Sequence, residues 1–425
     1  MERSVTSTVH CDLEGRITYM SEGAEEVFQY KPDELVGKER VSIFSPGMVV
    51  LDHVPNWLKT SVAEGHFETD TVFIRKDGSE IAASIRTAPI IKDGVHTGYI
   101  GLTTPLPDRS TAEVMPKISL MIQVFQWLYI TRAPFLTVTI VSVLIGAFLA
   151  PWLVPAVDLN VGLLFITLLG ACLAHLGANT ANDYFDWRSG VDAANPDYVI
   201  PFSGGSRMIQ LGVISPRGVL TTSLLLFALA AGVGAYLATS EEIWPQAAGI
   251  AVAGAAIGFF YTAPPLRLAA RGLGELGIVV AFGPLIVVGA ALVQAGAFEA
   301  EALLAGLPSG ILTGLIVWVN QFPDAPGDEA GGKHTLVVRL GLLKSRWVYI
   351  FLWTASYASL VGLVIAETLP ALSLTGLASI PMAVYFTRQL FLNLHSRDIK
   401  SAMVGTILLH LVTGLLIALG LGLEL

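Results

Sequence analysis

Cysteine is almost missing from this chain. Its 425 residues hold two, Cys11 and Cys172, set far apart. That excludes a disulfide framework and reads as two free thiols in a reducing compartment. A basic excess is missing too: 25 Lys and Arg stand against 34 Asp and Glu, a formal charge of −9. General nucleic-acid binding needs a basic face, so no nucleic-acid partner is expected. No apolar run opens the chain, because residues 1–40 are polar. No secretory signal is therefore expected, and the first part of the chain is expected to stay in the cytoplasm. What the chain has in abundance is hydrocarbon, with 53% hydrophobic and only 14% charged residues.

That average hides two regimes. Residues 1–116 carry charges throughout. From Phe125 onward, apolar stretches of about 20 residues recur, the length that crosses a bilayer as a helix. Nine spans are expected, at 134–151, 161–181, 217–239, 246–263, 274–294, 302–321, 347–367, 370–388 and 402–423. The intervening loops alternate in charge. One set holds Arg188, Arg207, Arg217, Arg267, Arg271, Lys333, Arg339, Lys344, Arg346, Arg388, Arg397 and Lys400. The other holds Asp158, Glu241, Glu242, Glu299, Glu301 and Glu367, with no Lys or Arg. The positive-inside rule assigns the first set to the cytoplasm. The expected placement is a multi-pass protein of the cytoplasmic (inner) membrane, its N-terminal part facing the cytoplasm. The segment 118–131 is short and mixed, suited to the interface ahead of the first span.

Two acidic clusters interrupt this apolar half. One is Asn179-Thr-Ala-Asn182-Asp183-Tyr-Phe-Asp186, followed by Asp192; the other is Asn320-Gln321-Phe-Pro-Asp324-Ala-Pro-Gly-Asp328, followed by Lys333. Carboxylates are costly beside hydrocarbon, so those at a membrane span ordinarily line a polar cavity and mark a function. Continued as helix, Asn179, Asn182, Asp183 and Asp186 share one face at i, i+3 and i+4 spacing. That face offers oxygen ligands only, which suits Mg2+ shared with substrate phosphates. Asp324 and Asp328 repeat the spacing, although Pro326 and Gly327 are expected to kink or interrupt their helix. An even number of expected spans separates the clusters, so both face the same side. Arg267, Arg271 and Lys333 are the cations at hand for remaining diphosphate charge.

These features, in this order, resemble the UbiA superfamily of intramembrane prenyltransferases. The motifs are Arg132-Ala-Pro-Phe-Leu, Asn182-Asp-Tyr-Phe-Asp-Trp-Arg-Ser-Gly-Val-Asp192, Gly204-Gly-Ser-Arg-Met-Ile-Gln210 with Ile214-Ser-Pro-Arg217, Tyr261-Thr-Ala-Pro-Pro-Leu-Arg267 with Arg271-Gly-Leu-Gly-Glu275, and Asn320-Gln-Phe-Pro-Asp324 through Gly332-Lys-His-Thr-Leu-Val-Val-Arg-Leu-Gly341. An Asp at 192 rather than 190, with the Gly-Gly-Ser-Arg and Tyr-Thr-Ala-Pro-Pro-Leu-Arg stretches, is similar to the 1,4-dihydroxy-2-naphthoate polyprenyltransferases of menaquinone biosynthesis.

The resemblance implies Mg2+-dependent transfer of a polyprenyl group from its diphosphate to an aromatic acceptor. It implies Asn182, Asp183, Asp186, Asp324 and Asp328 as metal ligands, the four Asp being the catalytic set. Arg267, Arg271 and Lys333 would meet diphosphate oxygens. Arg207 would close over the diphosphate or serve as a topology anchor. Asn179 and Gln321 would orient substrate. Asp192 would stand behind the ligands or on the acceptor side, and Tyr261 would stack on the acceptor or sit in an interfacial belt. Two other readings stay open: a different phenolic or lipid acceptor, and a non-catalytic receptor for an isoprenoid or quinone.

The polar N-terminal part alternates like strands around short helices. Hairpins are expected at 9–19 and at 66–88, the second with an Asp77-Gly78 turn. Helices are expected at 21–28 and just after Tyr30, and a last strand at 97–103. This resembles a PAS domain, which implies an α+β fold with a five-stranded antiparallel sheet. It carries no Asn-Cys-Arg-Phe flavin motif. A small ligand, or a PAS-mediated dimer, is the kind of partner such a domain takes. The expected organisation is a PAS part at 1–105, a linker at 106–117, and an all-α membrane bundle of about nine helices at 118–425.

Overall fold

A computed structural model describes residues 5–195, 198–199 and 202–424, apart from the side chain of Arg397. Residues 1–4 of the polar opening stretch thus lie outside it. The chain folds as two compact units, one of residues 1–127 with 208–215, the other of residues 128–207 with 216–425.

The first unit is built on one antiparallel sheet in the order β2-β1-β5-β4-β3. Its strands are β1 (Ser7–Asp12), β2 (Ile17–Met20), β3 (Phe67–Ile74), β4 (Glu80–Lys92) and β5 (Val95–Pro105). Period-two alternation sends Val9, Phe73, Ala83 and Ile85 into the core, where they meet Phe28, Phe44 and Trp57. Ser21 caps the helix Glu22–Phe28 by accepting a hydrogen bond from the Ala24 N–H. Both expected hairpins form. The helices Gly47–Asp52 and Val54–Glu64 were not anticipated from the sequence. The stretch expected as a plain linker contains a short helix, Thr111–Val114, whose Val114 is buried against Val72 and Ala82.

The second unit is all helix. Among the described residues, seven helices are long and apolar enough to cross a membrane: Ala133–Leu153, Val161–Ser189, Pro216–Ser240, Gly274–Ala295, Glu301–Ala330, Leu342–Ile365 and Lys400–Gly422. These match seven of the nine expected spans, and the other two stretches form shorter elements. The expected span at 246–263 is the shorter helix Trp244–Phe260, which ends ahead of Pro264 and Pro265. The one at 370–388 divides into a 3-10 segment, Ala371–Ser379, and a 13-residue helix, Ile380–Leu392. Prolines withhold the N–H that a continuous ladder requires, and Pro370 and Pro381 flank that division.

The two largest of the bundle's buried clusters join helices far apart in sequence. One gathers Leu315, Trp318, Val319, Phe322 and Tyr349 with Met403 and Leu409. The other joins Val141, Ile145 and Leu149 to Val287, Leu360 and Ile417. Hydroxyls in these layers bond across helices, as between Tyr349 Oη and Thr406 Oγ1 at 2.8 Å. Such pairs keep polar groups satisfied where water is absent. A π-helical turn, Ala281–Leu285, interrupts the Gly274–Ala295 span. Within it the Phe282 carbonyl accepts from Ser142 Oγ at 2.5 Å. Turns of this type recur beside functional sites, and Ala281 and Phe282 both border the cavity described next.

Candidate active site

The helix Val161–Ser189 runs without a break through the first acidic cluster. Its Asn179, Asn182 and Asp186 border one cavity, together with Asp324 and Asp328 from the opposing helix Leu307–Ala330. That second helix also continues through Pro323, Pro326 and Gly327, so the expected interruption does not occur. The two clusters, some 140 residues apart in sequence by the count from Asp183 to Asp324, therefore face each other across one space.

Each carboxylate is held by a specific partner. Arg132 Nη2 donates to Asp183 Oδ1 at 2.5 Å and to Asn182 Oδ1 at 3.1 Å. Lys333 Nζ lies 3.1 Å from Asp186 Oδ2 and 3.8 Å from Asp328 Oδ1. Asn195 Nδ2 donates to Asp324 Oδ1 at 2.6 Å, and the Gly204 N–H to Asp324 Oδ2 at 3.0 Å. The Ser206 N–H donates to both oxygens of Asp183. Asn182 Nδ2 donates to Asp186 Oδ2 at 3.3 Å. Asp183, Asp186 and Asp328 are buried, and a charge in such a place is stable only when paired.

The cations feel the same field. Burial by itself would pull the Lys333 ammonium down; the charges of Asp186 and then Asp328 outweigh it and hold the group well above the ordinary lysine value. Arg132 behaves likewise, with burial opposing and Asp183 prevailing. For Tyr261, burial is the leading cause and raises the phenol above its usual value, against a smaller opposite effect of Lys333.

The residues singled out from sequence divide into two groups. Asn179, Asn182, Asp186, Asp192, Tyr261, Gln321, Asp324, Asp328 and Lys333 all border the cavity, and Asp183 is tied to its rim through Arg132. Arg207, Arg267 and Arg271 do not border it. Arg207 is buried, donates to the Asp192 carbonyl and to the Asn195 carbonyl at 2.9 Å, and stacks 4.0 Å from the Tyr198 ring. It braces the loop instead of facing the cavity. Arg271 is exposed and donates to the Pro265 carbonyl at 3.0 Å. Its reach is spent on its own loop.

Sequence reading gave no role to Arg132 or Asn195. A lone cation just ahead of the first span was the available signal for Arg132; nothing local marked Asn195, whose value lies in facing Asp324. Away from the charged end, Val138, Ile257, Ile278, Phe282, Ile316 and Val317 make the cavity apolar. His175 also borders it, with Nδ1 2.8 Å from Thr139 Oγ1.

The donor set fits a hard divalent cation, being carboxylate and amide oxygens without sulfur. Among the described residues, no three His, Cys, Asp or Glu are grouped closely enough to form a complete cage. Asn182, Asp186, Asp324 and Asp328 are the cavity residues that would hold such an ion. The whole is an amphiphile's cavity inside a polytopic helical bundle: charged at one end, greasy along its length.

Comparison with known proteins agrees with that class. The sequence pattern of the UbiA prenyltransferase family matches residues 139–413, and that of the PAS domain matches residues 4–104. The chain belongs to the UbiA prenyltransferase family and carries an N-terminal PAS domain. A Bacillus subtilis 1,4-dihydroxy-2-naphthoate octaprenyltransferase is 29% identical over 293 residues, covering 69% of this chain and 90% of that one. A Mycobacterium tuberculosis enzyme of the same name is 33% identical over 225 residues, covering 53% and 73%. Among solved structures, a UbiA homologue from Aeropyrum pernix superposes with a TM-score of 0.52 at 16% identity, over 67% of this chain and 97% of the other, which shows the shared fold.

Proposed function

We propose that this prenyltransferase moves a polyprenyl group from its diphosphate to 1,4-dihydroxy-2-naphthoate, a step of menaquinone biosynthesis, with Mg2+ as the required ion. The observation that carries the reading is the convergence of both acidic clusters, Arg132 and Lys333 on one end of an apolar cavity. The names and coverage of the relatives support the naphthoate acceptor. The site is read as facing the cytoplasm, with the PAS domain on the same side, on the strength of the Lys and Arg loops. The working division is PAS 1–105, connector 106–117 and transferase 118–425, with the PAS domain modulating turnover through a ligand or a second copy.

Asn182, Asp183, Asp186, Asp324 and Asp328 would hold the metal, which supplies positive charge to the leaving diphosphate. Arg132 and Lys333 are placed to pass from carboxylate to phosphate oxygens as the substrate arrives, adding charge where it develops. The allylic C–O bond breaks and its electron pair leaves with the diphosphate. The apolar wall keeps water from the allylic cation. A ring carbon of the acceptor then bonds to the allylic carbon, and the carboxyl group at that position departs as CO2. The prenyl tail extends among the apolar helices into lipid.

The test is turnover by purified full-length protein given labelled geranylgeranyl diphosphate and a panel of acceptors, with and without EDTA. Prenylated naphthoquinol that forms only with Mg2+ is the expected product. Transfer to another phenol or to a lipid acceptor alone would correct the acceptor. Tight binding of isoprenoid with no transfer to any acceptor would sink the enzymatic reading in favour of a receptor.

A further inference from the structure

We propose that the side-chain amides of Asn320 and Gln321 recognise the hydroxyl groups of the aromatic acceptor and so decide which acceptors the cavity takes; this rests on the prenyl-transfer reading above. Both residues border the cavity on the helix that carries Asp324. They precede it by three and four residues, or about 4–6 Å along the helix axis. Gln321 is only 7% exposed.

Neither amide is engaged by the protein. Asn320 Oδ1 and Gln321 Oε1 are both buried with no hydrogen-bond partner. The other amides around the cavity are spent: Asn179 on the Thr131 carbonyl, Asn182 on Arg132 and Asp186, Asn195 on Asp324. Buried polar groups are ordinarily paired, and two adjacent unpaired amides on a cavity wall await what fills it.

The two substrates differ in what they offer. A diphosphate ester at neutral pH presents oxygen acceptors, and a prenyl chain presents no polar group at all. An amide oxygen needs a donor, and only the phenolic acceptor brings O–H groups. Rotation about the last side-chain bond turns each amide toward the ring, its oxygen accepting from a hydroxyl and its N–H groups donating to a hydroxyl oxygen or carboxylate. Accepting a phenolic proton in this way also pushes electron density into the ring, which favours attack on the allylic carbon. A site that hydrogen-bonds a hydroxyl rejects analogues that lack it.

The experiment compares full-length wild type with Asn320→Leu, Gln321→Met and Gln321→Glu. Initial rates give KM for 1,4-dihydroxy-2-naphthoate, for its O-methyl ethers and for the prenyl diphosphate. Wild type is expected to prefer the free diol. The Leu and Met variants are expected to raise its KM roughly ten- to hundredfold and to lose most of the preference over the ethers, with the KM for prenyl diphosphate little changed. Gln321→Glu keeps the shape and an acceptor oxygen, so it should keep the preference even if the apolar variants fold poorly. An unchanged preference in every variant that folds, as when the amides bind only water, overturns the proposal. So does a rise confined to the KM for prenyl diphosphate. If wild type transfers to no naphthoate at all, the functional reading fails; calorimetric binding of simple dihydroxybenzenes and their methyl ethers to the same variants then decides the amide proposal separately.

Discussion

At the scale of single residues, pairing decides which charges can exist in the bundle. Asp183 has two kinds of partner, a guanidinium and a backbone N–H, and a metal would compete with both. Asp183→Asn keeps the size and removes the charge; kcat/KM should fall by about 10²–10³ or more, as for loss of a principal electrostatic group, measured by product formation. Arg132→Gln should chiefly raise the KM for the prenyl diphosphate, since it removes a charge on the phosphate side. Cys11 gives a different test. Burial, its largest influence, pushes the thiol up to about 12 from the ordinary 9.0. The thiolate is the nucleophile, so alkylation of Cys11 at pH 8 should be fast only after denaturation. Its folded pKa is raised, so its contribution to stability is complete below the ordinary value and fades as pH rises toward about 12. Thermal unfolding of the Cys11→Ala variant against pH checks that sign.

At the scale of elements, the loop carrying Gly205 approaches the first acidic cluster closely. Gly205 has φ +76°, and a Cβ there would lie 3.3 Å from Asp183 Oδ1 and from both oxygens of Asp192. Gly205→Ala should cost about 1–2 kcal/mol from backbone conformation alone, and should lower turnover more than stability because the loop donates to Asp183 and Asp324. Gly327 explains the Pro-Gly spacer of the second cluster. A Cβ there would fall 2.4 Å from Asn195 Cβ, and Asn195 is the residue that holds Asp324. Gly327→Ala should destabilise by about 1–3 kcal/mol and weaken the site together with the fold, as thermal unfolding and turnover measured side by side would show. The expected helix break at this spacer is a matter of propensity; packing against Asn195 and the short helix Val191–Ala194 overrides it.

At the scale of the whole molecule, a PAS domain and a prenyltransferase-family helical bundle share one chain. The test of placement is protease accessibility in oriented vesicles. Inside-out membranes should allow cleavage within the PAS domain and its connector, while intact right-side-out membranes should protect them. Chelation by EDTA should stop transfer, and added Mg2+ should restore it. The sequence showed where most helices lie, because twenty apolar residues leave few alternatives in lipid. At 370–388 the hydropathy continues while the backbone divides into a 3-10 segment and a helix near Pro381, and at 246–263 the helix Trp244–Phe260 forms within a few residues of the expected bounds.

The sequence by itself determined the apolar helical bundle, the five strands of the PAS sheet and the two clusters of carboxylate and amide oxygens, since burial of hydrocarbon and the supply of oxygen donors depend on residue type and spacing. Only the tertiary structure decided which cations serve those oxygens. Arg207 and Arg271 bond to nearby carbonyls, whereas Arg132, from ahead of the first span, reaches Asp183. It also decided that Asn195 spends its amide on Asp324 and that Asn320 and Gln321 keep theirs free. Electrostatic and hydrogen-bond partners are chosen by distance in space, and distance in space is set by how the helices pack.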